Sequence, residues 1–248
     1  MEISLAAEKI AHIGSMPITN SMTANWIATI LLIIFAYLAT KKVNLIPKGI
    51  QNVAEFIVES LLGLADSVIG NMQLTRKFFP MIATIFIFIL TNNWLGLLPG
   101  FGTIGIHETL HGEEILVPLF RTGNADLNST LALAIIAVIA IQVFGVMTIG
   151  FIKYSKKFLN FESPIMFFVG ILELISEVSR LISFSFRLFG NVFAGEILLM
   201  VIAMLAPYIA PLPFYGLELF VGFIQALVFT MLTLVFIKMA ITDHSEAH

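Results

Sequence analysis

The sequence predicts an all-α membrane protein. About five helices should be embedded in the bilayer, one amphipathic helix should lie at its surface, and the last two should form a long, strongly tilted antiparallel hairpin. Three observations lead there. Of the 248 residues, 58% are hydrophobic and 12% are charged, about half the charged share of a soluble domain, and mean hydropathy is +0.98. Apolar runs recur at spanning length, separated by polar connections. One of them, residues 165–206, would make about 63 Å of helix, twice the hydrocarbon thickness, so it must tilt or bend.

Composition also excludes functions. A net charge of -3 gives no footprint for nucleic acid, and the absence of cysteine removes disulfides, thiol catalysis and Cys-type metal sites. No cofactor is implied.

The chain reads as a single membrane domain, 1–248. Residues 1–24 lack the basic start and apolar core of a signal peptide and should form a short extramembrane segment, with a surface helix as one form. The first span is 25–40. In 49–72, Val53, Phe56, Ile57, Ser60, Leu61 and Leu64 recur at helical spacing with Gln51, Glu55, Glu59 and Asp66 between them, the pattern of a helix lying along the membrane surface or facing a partner. The second span, 78–98, ends in Asn92, Asn93 and Trp94, residues suited to an interface. A polar external loop follows at 100–128. Its His107 and His111 are four apart, the spacing of two ligands on one helix face, but Gly112 and the missing helical pattern favour two solvated histidines and no metal. The third span is 131–152. The long helix, 165–206, opens after Pro164, and the last helix, 214–241, follows the prolines at 207, 211 and 213.

Lysine and arginine orient the chain. Lys41, Lys42, Lys48, Arg76, Lys77, Lys153, Lys156 and Lys157 fall in two connections that five spans place on one side, the cytoplasmic one. The N-terminus and the loop at 100–128 are then outside.

The chemistry sits in the last two helices. Arg180 and Arg187 lie in an apolar run, where a charge costs several kcal/mol and guanidinium does not shed its proton. If the hairpin folds about Pro207, Glu196 and Glu218 are level, Arg187 is level with a position close to Gln225, and Glu177 falls beside Lys238. Glu196 lies about 13 Å to the outside of Arg187; Glu177 and Glu173 lie about 15 and 21 Å toward the cytoplasm. Carboxylates thus occupy both approaches with a fixed cation between them, an arrangement suited to two separate proton passages. Ser176, Arg180, Ser183, Arg187, Asn191 and Ala194 fall on one small, polar helix face that admits a close neighbour. No carboxylate of the chain is level with Arg187 on the second helix, so a partner protein should bring one.

Each of these residues has a plainer reading. Glu177 and Arg180, three apart, can neutralise each other. Glu196 and Glu218 can be a structural pair sharing a proton, although a proton site is favoured. Gln225 can bond a neighbouring helix. Lys238 reads as a snorkelling anchor. Asn92, Asn93 and Asp126 can line the outer mouth or cap helices at the interface.

At these residues the sequence resembles subunit a of F-type ATP synthases. The resemblance rests on RLFGNVFAGE at 187–196, with IQALVFTMLT at 224–233, ADLNSTLALA at 125–134 and NNWLGLLP at 92–99. It implies a membrane stator with no catalytic chemistry of its own. Two proton half-channels would load and unload the carboxylates of the rotor c-ring, and Arg187 would prevent a short circuit. Asn191, Glu196 and Gln225 match polar positions on the proton path, and Glu173 a polar position on the cytoplasmic side. Ser183, Arg180, Lys238, Asp126 and Asn92 are accessory candidates. Where some relatives pair a carboxyl with a histidine at 196 and 218, this chain has Glu at both, so a His–Glu mechanism does not carry over. The implied partners are rotor subunit c, peripheral-stalk subunit b, other ATP synthase subunits and the lipid bilayer. The implied location is an energy-coupling membrane, the bacterial plasma membrane or an organellar inner membrane. The rival readings are a stand-alone channel or secondary transporter, against which stands the lack of an internal repeat, and a structural assembly subunit.

Overall fold

The computed structural model describes residues 7–98, 101, 104–110, 113–158 and 163–242. Its fold is helical. α1 (Asn20–Thr40), α3 (Met72–Leu95), α4 (Leu127–Ile149), α6 (Pro164–Leu205) and α7 (Pro211–Ile241) are each long and apolar enough to cross a membrane. α2 (Ile50–Ile69) is amphipathic and is not among them, and α5 (Phe151–Lys156) is short.

Local sequence sets the helix starts. Thr19, Asn71, Asp126 and Ser163 each accept a backbone N–H of the first turn through the side chain, satisfying donors that a helix leaves unpaired. These caps lengthen the helices beyond their hydrophobic runs. α1 starts five residues before the expected 25, α3 six before 78 and α4 four before 131. Pro164 stands in the first turn of α6 and Pro211 in that of α7, where a missing N–H costs nothing. Between α4 and α5 the chain turns at Gly150 with φ 94°, a conformation other residues rarely adopt.

Two stretches differ from the sequence reading. The N-terminal segment holds an antiparallel hairpin, β1 (Lys9–Ile13) with β2 (Met16–Thr19), rather than a surface helix. The loop at 100–128 contains a second hairpin, β3 (Gly105–Leu110) with β4 (Glu113–Pro118), and a 3-10 turn at Gly123–Ala125. His107 is therefore in a strand, without the helix face its spacing to His111 would need; His111 lies outside the described residues.

The core has two connected layers. Toward the middle of the bundle Ala83, Phe86 and Ile89 of α3 meet Ala134 and Ala137 of α4, Phe184 and Leu188 of α6, and Ala226 and Phe229 of α7. Nearer the C-terminal end of α7, Ala65 and Ile69 of α2 pack with Phe78 and Ile82, Ile141, Tyr154, and Leu234 and Ile237. The alanines let helices approach closely. Asn93 lies against Gly222 and donates to its carbonyl (2.8 Å), while Trp94 donates to Leu219 O (3.1 Å), tying α3 to α7.

α6 is one unbroken helix of 42 residues and α7 has 31. Both exceed the roughly 30 Å hydrocarbon layer when upright, which forces tilt. Their register agrees with a fold-back at Pro207. The Glu218 carboxylate lies over Gly195, and the Phe184 and Phe229 rings meet at a tilt of 42° with centroids 4.9 Å apart. Both pairs are symmetric about a centre between residues 206 and 207.

Candidate functional site

Toward the turn of the α6–α7 hairpin, the level pair is close in space. Gly195 carries no side chain, and a methyl group there would overlap the Glu218 carboxylate. Glu196, the next residue, faces Arg121 (Nε–Oε2 3.9 Å), whose guanidinium also stands 5.6 Å from the Phe193 ring. The Thr122 hydroxyl and amide interact with the same carboxylate. Sequence reading placed Arg121 in a polar loop and gave it no role. Seventy-five residues separate it from Glu196, and only the folding of the 3-10 turn onto α6 brings the two together.

Asp126 and Asn92 are not at this carboxylate pair. Asp126 caps α4 through Asn128 N (3.0 Å) and accepts a 2.6 Å bond from Ser21 of α1, so the capping reading describes its contacts. Asn92 donates to Phe88 O within its own helix (3.2 Å), and its Oδ1 is buried without a protein partner. The neighbouring Asn93 and Asn124 form a bonded pair (2.8 Å), and Asn124 reaches Ile89 O. Asn124 was another residue the sequence did not single out; nothing in its local pattern marks a buried amide.

At mid-depth, the Arg187 guanidinium donates to Ser183 Oγ (3.2 Å), and Asn191 donates to Arg187 O (2.9 Å). Ser176, Ser183, Gly190, Asn191 and Ala194 are exposed, and Arg187 is half-buried among them. Among the described residues, no carboxylate pairs with Arg187. Behind this face Leu188, Phe184 and Ser185 are buried, with the Ser185 hydroxyl 3.2 Å from that of Thr130. Gln225 is half-buried on α7 next to Ala226.

Arg180 departs from the expected face. It is 9% exposed, stacks on the Phe236 ring of α7 at 3.8 Å, and its Nη1 bonds both oxygens of Glu177 (2.7 and 2.8 Å). Helical spacing put Arg180 within the exposed stripe; the long side chain instead reaches sideways to an aromatic face that takes a desolvated cation well. Glu177 is thereby neutralised by its neighbour.

Glu173 pairs with Lys157 from the segment after α5 (2.6 Å). α5 and that segment fold back on α4 and α6: the Tyr154 ring covers Gly145, and the Phe158 carbonyl fills the space beside Gly170. The Tyr154 hydroxyl donates to Gln142 Oε1 (2.5 Å). Burial, with the Glu177 charge adding to it, pushes that hydroxyl up to about 12, so it stays a donor at neutral pH. Lys238 is exposed, but it does more than anchor. Its Nζ donates to Val68 O in the last turn of α2 (2.7 Å), where a cation suits the helix terminus.

The chain therefore carries partnered carboxylates toward each membrane face and an arginine between them on an open, small-residue face. Comparison with known proteins gives the same direction. The family model described as ATP synthase A chain matches residues 22–238. The protein named ATP synthase subunit a of Campylobacter jejuni subsp. doylei is 37% identical over 214 residues, 85% of either chain. Its namesake in Moorella thermoacetica is 33% identical over 236 residues, 95% of this chain and 97% of that one. That of Campylobacter fetus subsp. fetus is 34% identical over 237 residues, 92% and 95%.

Proposed function

The chain belongs to the ATP synthase subunit a family, and from that premise we propose that it carries two offset proton half-channels separated by Arg187. It is a multi-pass membrane protein, the proton-translocating stator subunit of the membrane sector. ATP chemistry belongs to other subunits. In this reading the face around Arg187 meets the rotor ring, and a further subunit of the stalk holds the stator still.

The observation that carries the reading is the state of Arg187. Glu196 has Arg121, Glu173 has Lys157 and Glu177 has Arg180, yet among the described residues the Arg187 guanidinium bonds only Ser183, and it sits in an exposed stripe of small residues. A permanent cation in a membrane needs an anion. A carboxylate passing on a rotor helix supplies one, and the small stripe lets that helix come close.

The proton steps follow from charge. A proton from outside reaches the Glu196–Glu218 region and neutralises a rotor carboxylate, which can then enter lipid. A rotor carboxylate arriving from the other direction loses its proton toward Glu173. Arg187 favours the ionised carboxylate while it passes and repels a proton trying to cross directly between the two approaches.

Arg187→Ala tests this in vesicles containing the assembled complex. Proton-driven ATP synthesis should stop while passive proton leak through the membrane sector persists or rises. Arg187→Lys should also fail, since lysine is shorter and lacks the planar donor fork. A purely structural arginine predicts loss of assembly, and a substrate-binding arginine in a stand-alone transporter predicts lost flux without leak. Assembled Arg187→Ala complexes that keep coupled synthesis would overturn the reading.

A further inference from the structure

Three carboxamide oxygens at the 3-10 turn have nothing to accept from. Asn25 Oδ1 of α1, Asn92 Oδ1 of α3 and Asn124 Oδ1 of the turn itself are buried, and no N–H or O–H of the described residues reaches any of them. Two of the oxygens meet over Gly123. A methyl group on Gly123 would overlap Asn25 Oδ1 and stand 2.8 Å from Asn92 Oδ1. The amide nitrogens are engaged elsewhere. Asn92 donates to Phe88 O (3.2 Å), Asn124 to Ile89 O (3.2 Å) and Asn93 Oδ1 (2.8 Å), and Asn25 to Ser129 Oγ (3.0 Å). Backbone carbonyls only accept, which holds Asn92 and Asn124 in this orientation, whereas the Ser129 hydroxyl can donate or accept.

A negative charge lies next to this cluster. Asp126, the residue that ends the turn, is 5% exposed, and its amide donates to Gly123 O (3.3 Å). Its carboxylate accepts from Ser21 (2.6 Å) and from Asn128 (3.0 Å), but among the described residues it has no ion pair. Ser21 and Asn25 stand one helical turn apart on the same face of α1. Buried acceptors cost free energy unless something donates to them or is coordinated by them, and a buried carboxylate adds a demand for positive charge.

We propose that the turn at Gly123 is a binding site for a monovalent metal cation, coordinated by the carboxamide oxygens of Asn25 and Asn92, with Asn124 beside them and Asp126 balancing the charge. An oxygen-only set suits a hard cation. One carboxylate, itself held by hydrogen bonds, balances a single charge, whereas tight calcium sites gather more. Since α1, α3 and the turn each supply an oxygen, the ion stabilises their packing. This role is separate from the proton steps at Arg187 and does not depend on them.

The test follows the melting midpoint of the assembled complex in detergent as sodium chloride replaces choline chloride at constant ionic strength, which keeps screening fixed. Sodium should raise the midpoint saturably. Carboxylates elsewhere in the complex can also bind sodium, so substitutions at Asn25 locate the effect. In Asn25→Ala the stabilisation should shrink, and equilibrium binding of radioactive sodium should drop by one ion per complex. Asn25→Asp keeps an oxygen at the site and adds a charge, while the Ser129 hydroxyl can turn to donate to it. The half-saturating sodium concentration should then fall about tenfold. Equal midpoints in both salts for the unmodified complex overturn the proposal, as does an unchanged sodium response in Asn25→Ala. So does an Asn25→Asp complex that melts lower in both salts without tighter sodium binding. That result is expected if the Asn25 amide turns to donate to Asn92 Oδ1, or if a water serves the oxygens instead. Should Asn25→Ala fail to assemble, the unmodified complex and Asn25→Asp still decide.

Discussion

The Glu218 carboxylate rests on the α-carbon of Gly195, a place no other residue type would leave open. Gly195 is buried in the middle of α6, where glycine costs a helix about 1 kcal/mol relative to alanine. The cost is offset by the space it leaves for a polar group of the facing helix, one residue from Glu196.

Gly195→Ala should therefore separate stability from function. The helix gains propensity, so thermal stability of the assembled complex should not fall by more than the packing loss at one methyl. The Glu218 carboxylate must swing aside. On the proposed proton path, a displacement of about 1 Å is enough to cost a large factor in rate, and ATP synthesis should drop at least about tenfold. Full activity with an unchanged melting profile would show that the Glu218 position is irrelevant to conduction.

The α3–α7 register can be tested with a cross-link. A Cβ built at Gly222 stands 3.1 Å from Asn93 Cβ, within a few tenths of an ångström of the range a disulfide accepts, about 3.5–4.5 Å. The chain has no cysteine. Asn93→Cys with Gly222→Cys should form an intrachain disulfide under mild oxidation, seen as a mobility shift reversed by reductant. A pair displaced by one turn, Asn93→Cys with Ala226→Cys, should not. The reverse result would mean that α7 is shifted along α3.

Asp126 is buried and does two jobs, capping α4 and accepting from Ser21 of α1. Asp126→Ala removes a cap, about 1 kcal/mol, and takes a charged acceptor from the buried Ser21 hydroxyl, which keeps only Thr19 Oγ1 at 2.9 Å, about 1 kcal/mol more. The thermal inactivation midpoint of the complex should fall. Asp126→Asn should fall less, because the cap oxygen remains and the Ser21 hydroxyl can turn to accept from the new amide. Equal losses for Ala and Asn would instead point to the charge of Asp126 as what matters.

The sequence by itself determined the membrane character, the five long helices, their order, and the register of the last two. These depend on contiguous residues: a run long enough to span, a proline or capping side chain at its end, and a fold-back at Pro207 that makes Glu196 and Glu218 level. Arg187 was also legible, because a permanent charge inside an apolar run is conspicuous wherever it lies. Which cation faces which carboxylate was decided only by tertiary structure. Arg121 reaches Glu196 because the 3-10 turn packs on α6, Lys157 reaches Glu173 because the chain turns back at Gly150, and Arg180 leaves the face its spacing assigns because Phe236 of α7 offers its ring. The N-terminal hairpin belongs with these, held by Asn20 to both Glu8 and Arg121. Such pairings join residues far apart in the chain, and their energies depend on distance and solvent exclusion, quantities that exist only after the helices have packed.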